Sequence, residues 1–150
     1  MATIERSTEI AAPVDRVWSL LEDVRRLPEY SSSTEEVRDA PERITAVGQE
    51  YVQVGRMLGV RLTSRWRVVA IEPKQLIRSE GTLAAGVRYT LTQRLEPVSD
   101  ARTRLSIDID YAIPGGALGR FAARAGAESR AGREAQAVLD GIRTTLESSG

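Results

Sequence analysis

The sequence predicts an α+β fold, and three observations predict it. A short apolar stripe at helical spacing follows the first alternating segment. About six further segments then alternate apolar and polar residues with period two, joined by turns short enough for hairpins. The chain closes on a long stretch, 117–147, whose apolar residues recur at helical spacing. An amphipathic antiparallel sheet of that extent must cover its apolar face, and the terminal helix is the element available to do so. With 150 residues, 41% hydrophobic and 28% charged, the chain reads as one globular domain, 1–150, burying roughly 70% of its unfolded surface.

The elements follow in order. Residues 3–10 place Ile4, Arg6, Thr8 and Ile10 against Thr3, Glu5, Ser7 and Glu9, a strand with one polar face. Pro13 suits a first helical residue, Asp15 suits the helix dipole, and Val14, Val17, Trp18 and Leu21 form one apolar stripe. Trp18 is expected in the core. Asp23 is placed to cap a second short turn through Leu27, which Pro28 stops. After Ser31-Ser32-Ser33 comes a weak strand at 35–39, then strands at 51–56, 60–69, 75–83, 87–96 and 104–113. Gly59, Ala85-Gly86 and Ser99-Asp100 supply turns. Pro114-Gly115-Gly116 breaks the last strand before the final helix.

Composition excludes more chemistry than any motif implies. Net charge is zero, with 21 basic and 21 acidic side chains, and there is no histidine and no cysteine. That removes Ser-His-Asp and Cys-His nucleophiles, imidazole proton shuttles, disulfides and the usual zinc shells. Acid–base work falls to Asp, Glu, Tyr, Lys or water; no metal or cofactor is implied. Charge balance speaks against a nucleic-acid binder. No apolar run suggests export or a membrane span, so a cytoplasmic protein, monomer or homodimer, is expected.

Several segments carry a family resemblance: Ile10-Ala11-Ala12-Pro13-Val14-Asp15-Arg16-Val17-Trp18, Leu21-Glu22-Asp23-Val24, Leu27-Pro28-Glu29-Tyr30, Trp66-Arg67-Val68-Val69-Ala70-Ile71-Glu72-Pro73, Thr103-Arg104-Leu105 and Tyr111-Ala112-Ile113-Pro114. Through them nearly the whole chain resembles the START-like, helix-grip superfamily, in its polyketide cyclase/dehydrase and lipid-transport branch. The resemblance implies a curved seven-stranded antiparallel sheet gripping the C-terminal helix, with two short helices after the first strand. It also implies an apolar cavity for a small hydrophobic molecule: a polyketide, an isoprenoid or a lipid.

The residues supply a matching hint. The first half of the terminal helix is built of small residues around Leu118 and Phe121, and Gly119, Gly126, Gly132 and Gly141 cost it roughly 3–4 kcal/mol of propensity relative to Ala. Such a surface leaves either a void under the sheet or a close helix–sheet contact. Val138, Leu139, Ile142 and Leu146 in the second half are expected to close the far end as core. The strand faces opposite the arginines carry Tyr51, Gln53, Ser64, Trp66, Tyr89, Gln93 and Tyr111, and buried polar groups need partners. The candidate ligand-binding set is therefore Tyr30, Tyr51, Gln53, Ser64, Trp66, Tyr89, Tyr111, Phe121 and Ala125.

Arg61, Arg65 and Arg67 share the outward phase, with Arg88, Arg94 and Arg104 on neighbouring strands. Glu80, Glu96, Asp108 and Asp110 are in position to pair with them. In cyclases of the superfamily an inward arginine and tyrosines polarise a carbonyl. Here Arg56 and Arg78 would turn inward, as Arg67 would, only through a bulge. Catalytic residues stay unassigned. A non-enzymatic binder is the leading reading, a polyketide aromatase/cyclase or dehydrase the second. An interaction module using the outer Arg-rich face, like the ribosome-associated or quinone-chaperoning relatives, is the third.

Overall fold

The protein is described from a computed structural model, which covers residues 2–57, 59–83, 86–112 and 127–148. Strand β1 (Ala2–Ile10) leads to α1 (Val14–Glu22), a 3₁₀ turn (Val24–Arg26) and α2 (Leu27–Tyr30). Strands β2 (Thr34–Arg38), β3 (Glu50–Met57), β4 (Val60–Glu72), β5 (Leu76–Leu83), β6 (Arg88–Ser99) and β7 (Arg102–Ala112) follow, then helix α3 (Ala127–Ser148). The seven strands form one antiparallel sheet in the order β1-β7-β6-β5-β4-β3-β2. Each strand from β2 to β7 pairs with the next; short turns join β3 through β7, and the longer segment 39–49 joins β2 to β3. The first strand returns to the far edge beside the last. This is the helix-grip architecture.

Local chemistry explains where the predicted boundaries moved. Asp23 makes no side-chain capping bond, and Pro28 does not stop a turn; it sits second in α2, where its missing N–H is an orphan in any case. Pro13 takes an extended conformation (ψ 154°) and caps α1 instead of beginning it. Strands β4 and β6 run three residues beyond their expected ends because their ladders continue past the hydrophobic pattern. Gly59 and Gly86 have φ of +78° and +77°, the left-handed turn geometry that glycine adopts without a Cβ penalty. Of the expected helix 117–147, residues 127–147 are helical, and the small-residue stretch before Ala127, with Phe121 and Ala125, lies outside the described residues.

The register settles which faces are buried. Tyr51 lies opposite Trp66, Gln53 opposite Ser64 and Gly55 opposite Leu62, all facing α3. An extra residue, Val69, interrupts β4 between Val68 and Ala70, yet Arg78 still points outward and donates to Thr92 Oγ1 at 3.0 Å. Arg67 is exposed, between Glu50 and Glu80 in the ladder. Cross-strand ion pairs line this outer face: Arg61 with Glu35 and Glu36, Arg94 with Asp108, and Arg104 with Glu9 and Glu96. The core is dense at one end, where Ile10, Val17, Leu20, Leu105, Leu139 and Ile142 are fully buried beside Trp18.

Candidate functional site: a cavity between sheet and helix

Away from that dense end the sheet and α3 separate around a cavity of about 320 Å³. Its apolar wall includes Leu62, Leu83, Leu91, Ile107 and Ile109 from the sheet, and Ala131, Ala135 and Val138 from α3. Alanines at those helical positions leave space that larger residues would occupy, which is one of the two outcomes the small-residue pattern allows.

Two tyrosines stand out. Tyr30 and Tyr51 are each only 6% exposed, yet among the described residues neither hydroxyl bonds to a protein group. Among those same residues no buried side-chain polar atom is left unpartnered, so both hydroxyls must open onto the cavity. Burial raises the pKa of both phenols well above the ordinary 10.0; Tyr89 is shifted the same way, by burial and then by the neighbouring Tyr111. All three are neutral donors at physiological pH.

The aromatic wall is held in place from behind. A Cβ on Gly81 would lie 2.7–2.8 Å from three atoms of the Trp66 six-membered ring. Such even spacing means that the ring lies flat on Gly81 and presents its other face to the cavity. Trp66 Nε1 donates to Ser64 Oγ at 3.0 Å, which fixes the ring in its plane.

A polar seam closes one side. Gln53 Nε2 donates to Thr34 Oγ1 at 2.7 Å, and Thr34 Oγ1 shares a 2.8 Å bond with Ser31 Oγ. Gly55 leaves room for the Ser33 carbonyl, which accepts from the Arg56 N–H at 2.8 Å. Ser33 Oγ in turn donates to Glu134 Oε1 on α3, so the loop after α2 bridges β3 and the helix. Arg56 and Arg130 also border the cavity. Arg56 is turned to Glu35, 2.5 Å away, and Arg130 is exposed.

Of the candidate residues, Tyr30, Tyr51, Gln53, Ser64, Trp66 and Tyr89 line this cavity together. Tyr111 does not. It is buried beside Tyr89, ring centroids 6.2 Å apart, because the ladder sets the two opposite each other with Tyr111 next to the edge strand. Phe121 and Ala125 fall outside the described residues. Sequence reasoning missed Ser31, Ser33, Arg130 and Glu134. The available signal for Glu134 was its phase: three residues after Ala131 and four before Val138, it is an acidic residue within the apolar stripe of α3.

The family described as polyketide cyclase/dehydrase and lipid transport matches residues 1–147. The chain belongs to this family. No curated protein matches it in sequence. The fold also matches solved structures. The Zhui aromatase/cyclase from Streptomyces sp. R1128 has a TM-score of 0.83 at 23% identity, over 97% of this chain and 93% of that one. A START superfamily protein from Mycobacterium smegmatis has a TM-score of 0.73 at 14% identity, over 99% of both chains. At such identities the likeness shows a shared fold. Family membership supports a ligand-binding or cyclase role and adds weight to the cavity as the place to look. Among the described residues no helix is long and apolar enough to cross a membrane.

Proposed function

We propose that the protein binds a small, mainly hydrophobic molecule in the cavity, with a polar group of the ligand against Tyr30 and Tyr51. The observation that carries this reading is the pair of largely buried phenols whose hydroxyls have no protein partner among the described residues and open onto the cavity. A hydroxyl that opens onto an apolar cavity offers a ligand acceptor a hydrogen bond worth about 0.5–1.5 kcal/mol net. The apolar wall supplies the remaining affinity at about 25 cal/mol per Å² of ligand surface removed from water. The aromatic and hydroxyl lining is of the kind small-molecule sites use. Native mass spectrometry and calorimetry against lipids, isoprenoids and polyketides test this. A bound species is expected, weakened about tenfold by Tyr30→Phe or Tyr51→Phe; equal affinity in the double variant would remove the phenols from the site.

A second reading is an aromatase/cyclase or dehydrase, favoured by the family and by neutral phenols able to polarise a carbonyl. Against it, no arginine among the described residues donates to Tyr30, Tyr51 or Tyr89. Turnover of poly-β-ketones, lost in the tyrosine variants, would establish it; unchanged turnover would dismiss it.

A further inference from the structure

The cavity wall carries one acidic group that the binding of a neutral molecule leaves unused. Glu134 is half-buried on its wall, and among the described residues it accepts a hydrogen bond from Ser33 Oγ and forms no ion pair. Every other acidic residue stays outside the described lining. Of the two basic residues at the border, the Arg56 guanidinium lies against Glu35, while Arg130, one turn before Glu134 on α3, is exposed and forms no ion pair with it. A half-buried carboxylate that faces the cavity with one hydroxyl as its partner among the described residues can take a positive charge from a ligand.

The aromatic residues point the same way. Of the chain's two tryptophans, four tyrosines and one phenylalanine, Trp66, Tyr30, Tyr51 and Tyr89 all line this cavity. Trp66 is pinned so that a full ring face is turned inward. Ring faces carry negative quadrupole density and attract cations, tryptophan most strongly. The unpartnered phenol oxygens of Tyr30 and Tyr51 add acceptors for an ammonium N–H.

We propose that the ligand is an organic cation, a hydrophobic amine or quaternary ammonium, whose nitrogen is held by Glu134 and the aromatic wall while its apolar part fills the space toward Leu91 and Ile109. This rests on the cavity being a ligand site and narrows the class it takes. Anionic amphiphiles such as free fatty acids are disfavoured by the same carboxylate.

Three probes of similar shape separate the possibilities: benzyltrimethylammonium, its uncharged carbon isostere neopentylbenzene, and 3-phenylpropanoate. Calorimetry on the wild-type protein should rank them cation, neutral, anion, with roughly tenfold between the first two. In Glu134→Gln the gap between cation and isostere should narrow to the part the aromatic wall supplies, and in Glu134→Lys the anion should overtake the cation. Wild-type protein that binds the isostere as tightly as the cation overturns the proposal and leaves the cavity a site for neutral ligands. A preference undiminished in Glu134→Gln also overturns it. Binding of none of the three, with a blank against lipids and polyketides, removes the cavity as a ligand site altogether.

Discussion

Strands β6 and β7 run the length of the molecule and are packed in two different ways. At one end Leu95 and Leu105 meet Ile10, Leu139, Ile142 and Leu146 with little or no exposure. At the other, Tyr89, Leu91 and Ile109 face Ala131, Ala135 and Glu134 across open space. Helix α3 changes character at the same level, from small residues to large ones, while the sheet continues without a break. One element therefore sets both regions. Large side chains on α3 make a core, and small ones make a chamber.

The largest expected effect lies in the filled end. Leu139→Ala should cost about 3 kcal/mol in urea unfolding, since the surrounding core cannot collapse onto the space left behind. Leu91→Ala, at the chamber wall, already borders a void and should cost less than half as much. Equal losses at the two positions would mean that the two ends are packed alike.

An intermediate effect comes from pH. The folded-state pKa values of Tyr30 and Tyr51 are raised by burial. The unfolded chain therefore loses these protons first. The stability these phenols contribute is complete below the ordinary value of 10.0 and is lost as pH rises above it, at about 1.4 kcal/mol per pH unit for each buried phenol. Tyr51→Phe should make the alkaline decline shallower by one proton's worth of slope, and a slope identical to wild type would place the phenol in water.

The smallest stability change belongs to the most disruptive variant for binding. Ala135→Leu projects a large side chain into the chamber, so unfolding should shift by less than about 1 kcal/mol where overpacking a filled core costs 1–3. Uptake of any cavity ligand should fall at least tenfold. A loss of several kcal/mol would show that the helix already lies tight on the sheet there.

Much of this was legible in the chain itself. Period-two alternation in β3, β4, β6 and β7 put Tyr51, Gln53, Ser64, Trp66 and Tyr89 on one face, and the ladder keeps them there because a one-residue slip would expose the whole apolar set. The bulk of Leu139, Ile142 and Leu146 located the filled end, while Val138, expected there too, is half-buried on the cavity wall. What periodicity does not encode is distance across the sheet, and so Tyr111 was grouped with residues from which Tyr89 separates it. Hydroxyl-bearing loops are equally opaque. Ser31 and Ser33 became part of the wall only because Gly55 admits the Ser33 carbonyl and Glu134 reaches the Ser33 hydroxyl. The ambiguous phase of 75–83 resolved when Ile77, Ser79 and Gly81 were seen to face inward and Arg78 to lie over Thr92.

The irregularity at Glu35 in β2 has a bearing on solubility. Strand β2 forms one margin of the sheet, and its ladder skips a residue between Thr34 and Glu36. The five-residue strand carries Glu35, Glu36 and Arg38 in quick succession, with Arg56 and Arg61 drawn onto them from β3 and β4. A hollow protein has fewer interior contacts to resist local opening than a filled one of the same length. Short, kinked and charged, this border offers a poor template to a strand from another molecule, so transient opening of the chamber need not end in aggregation.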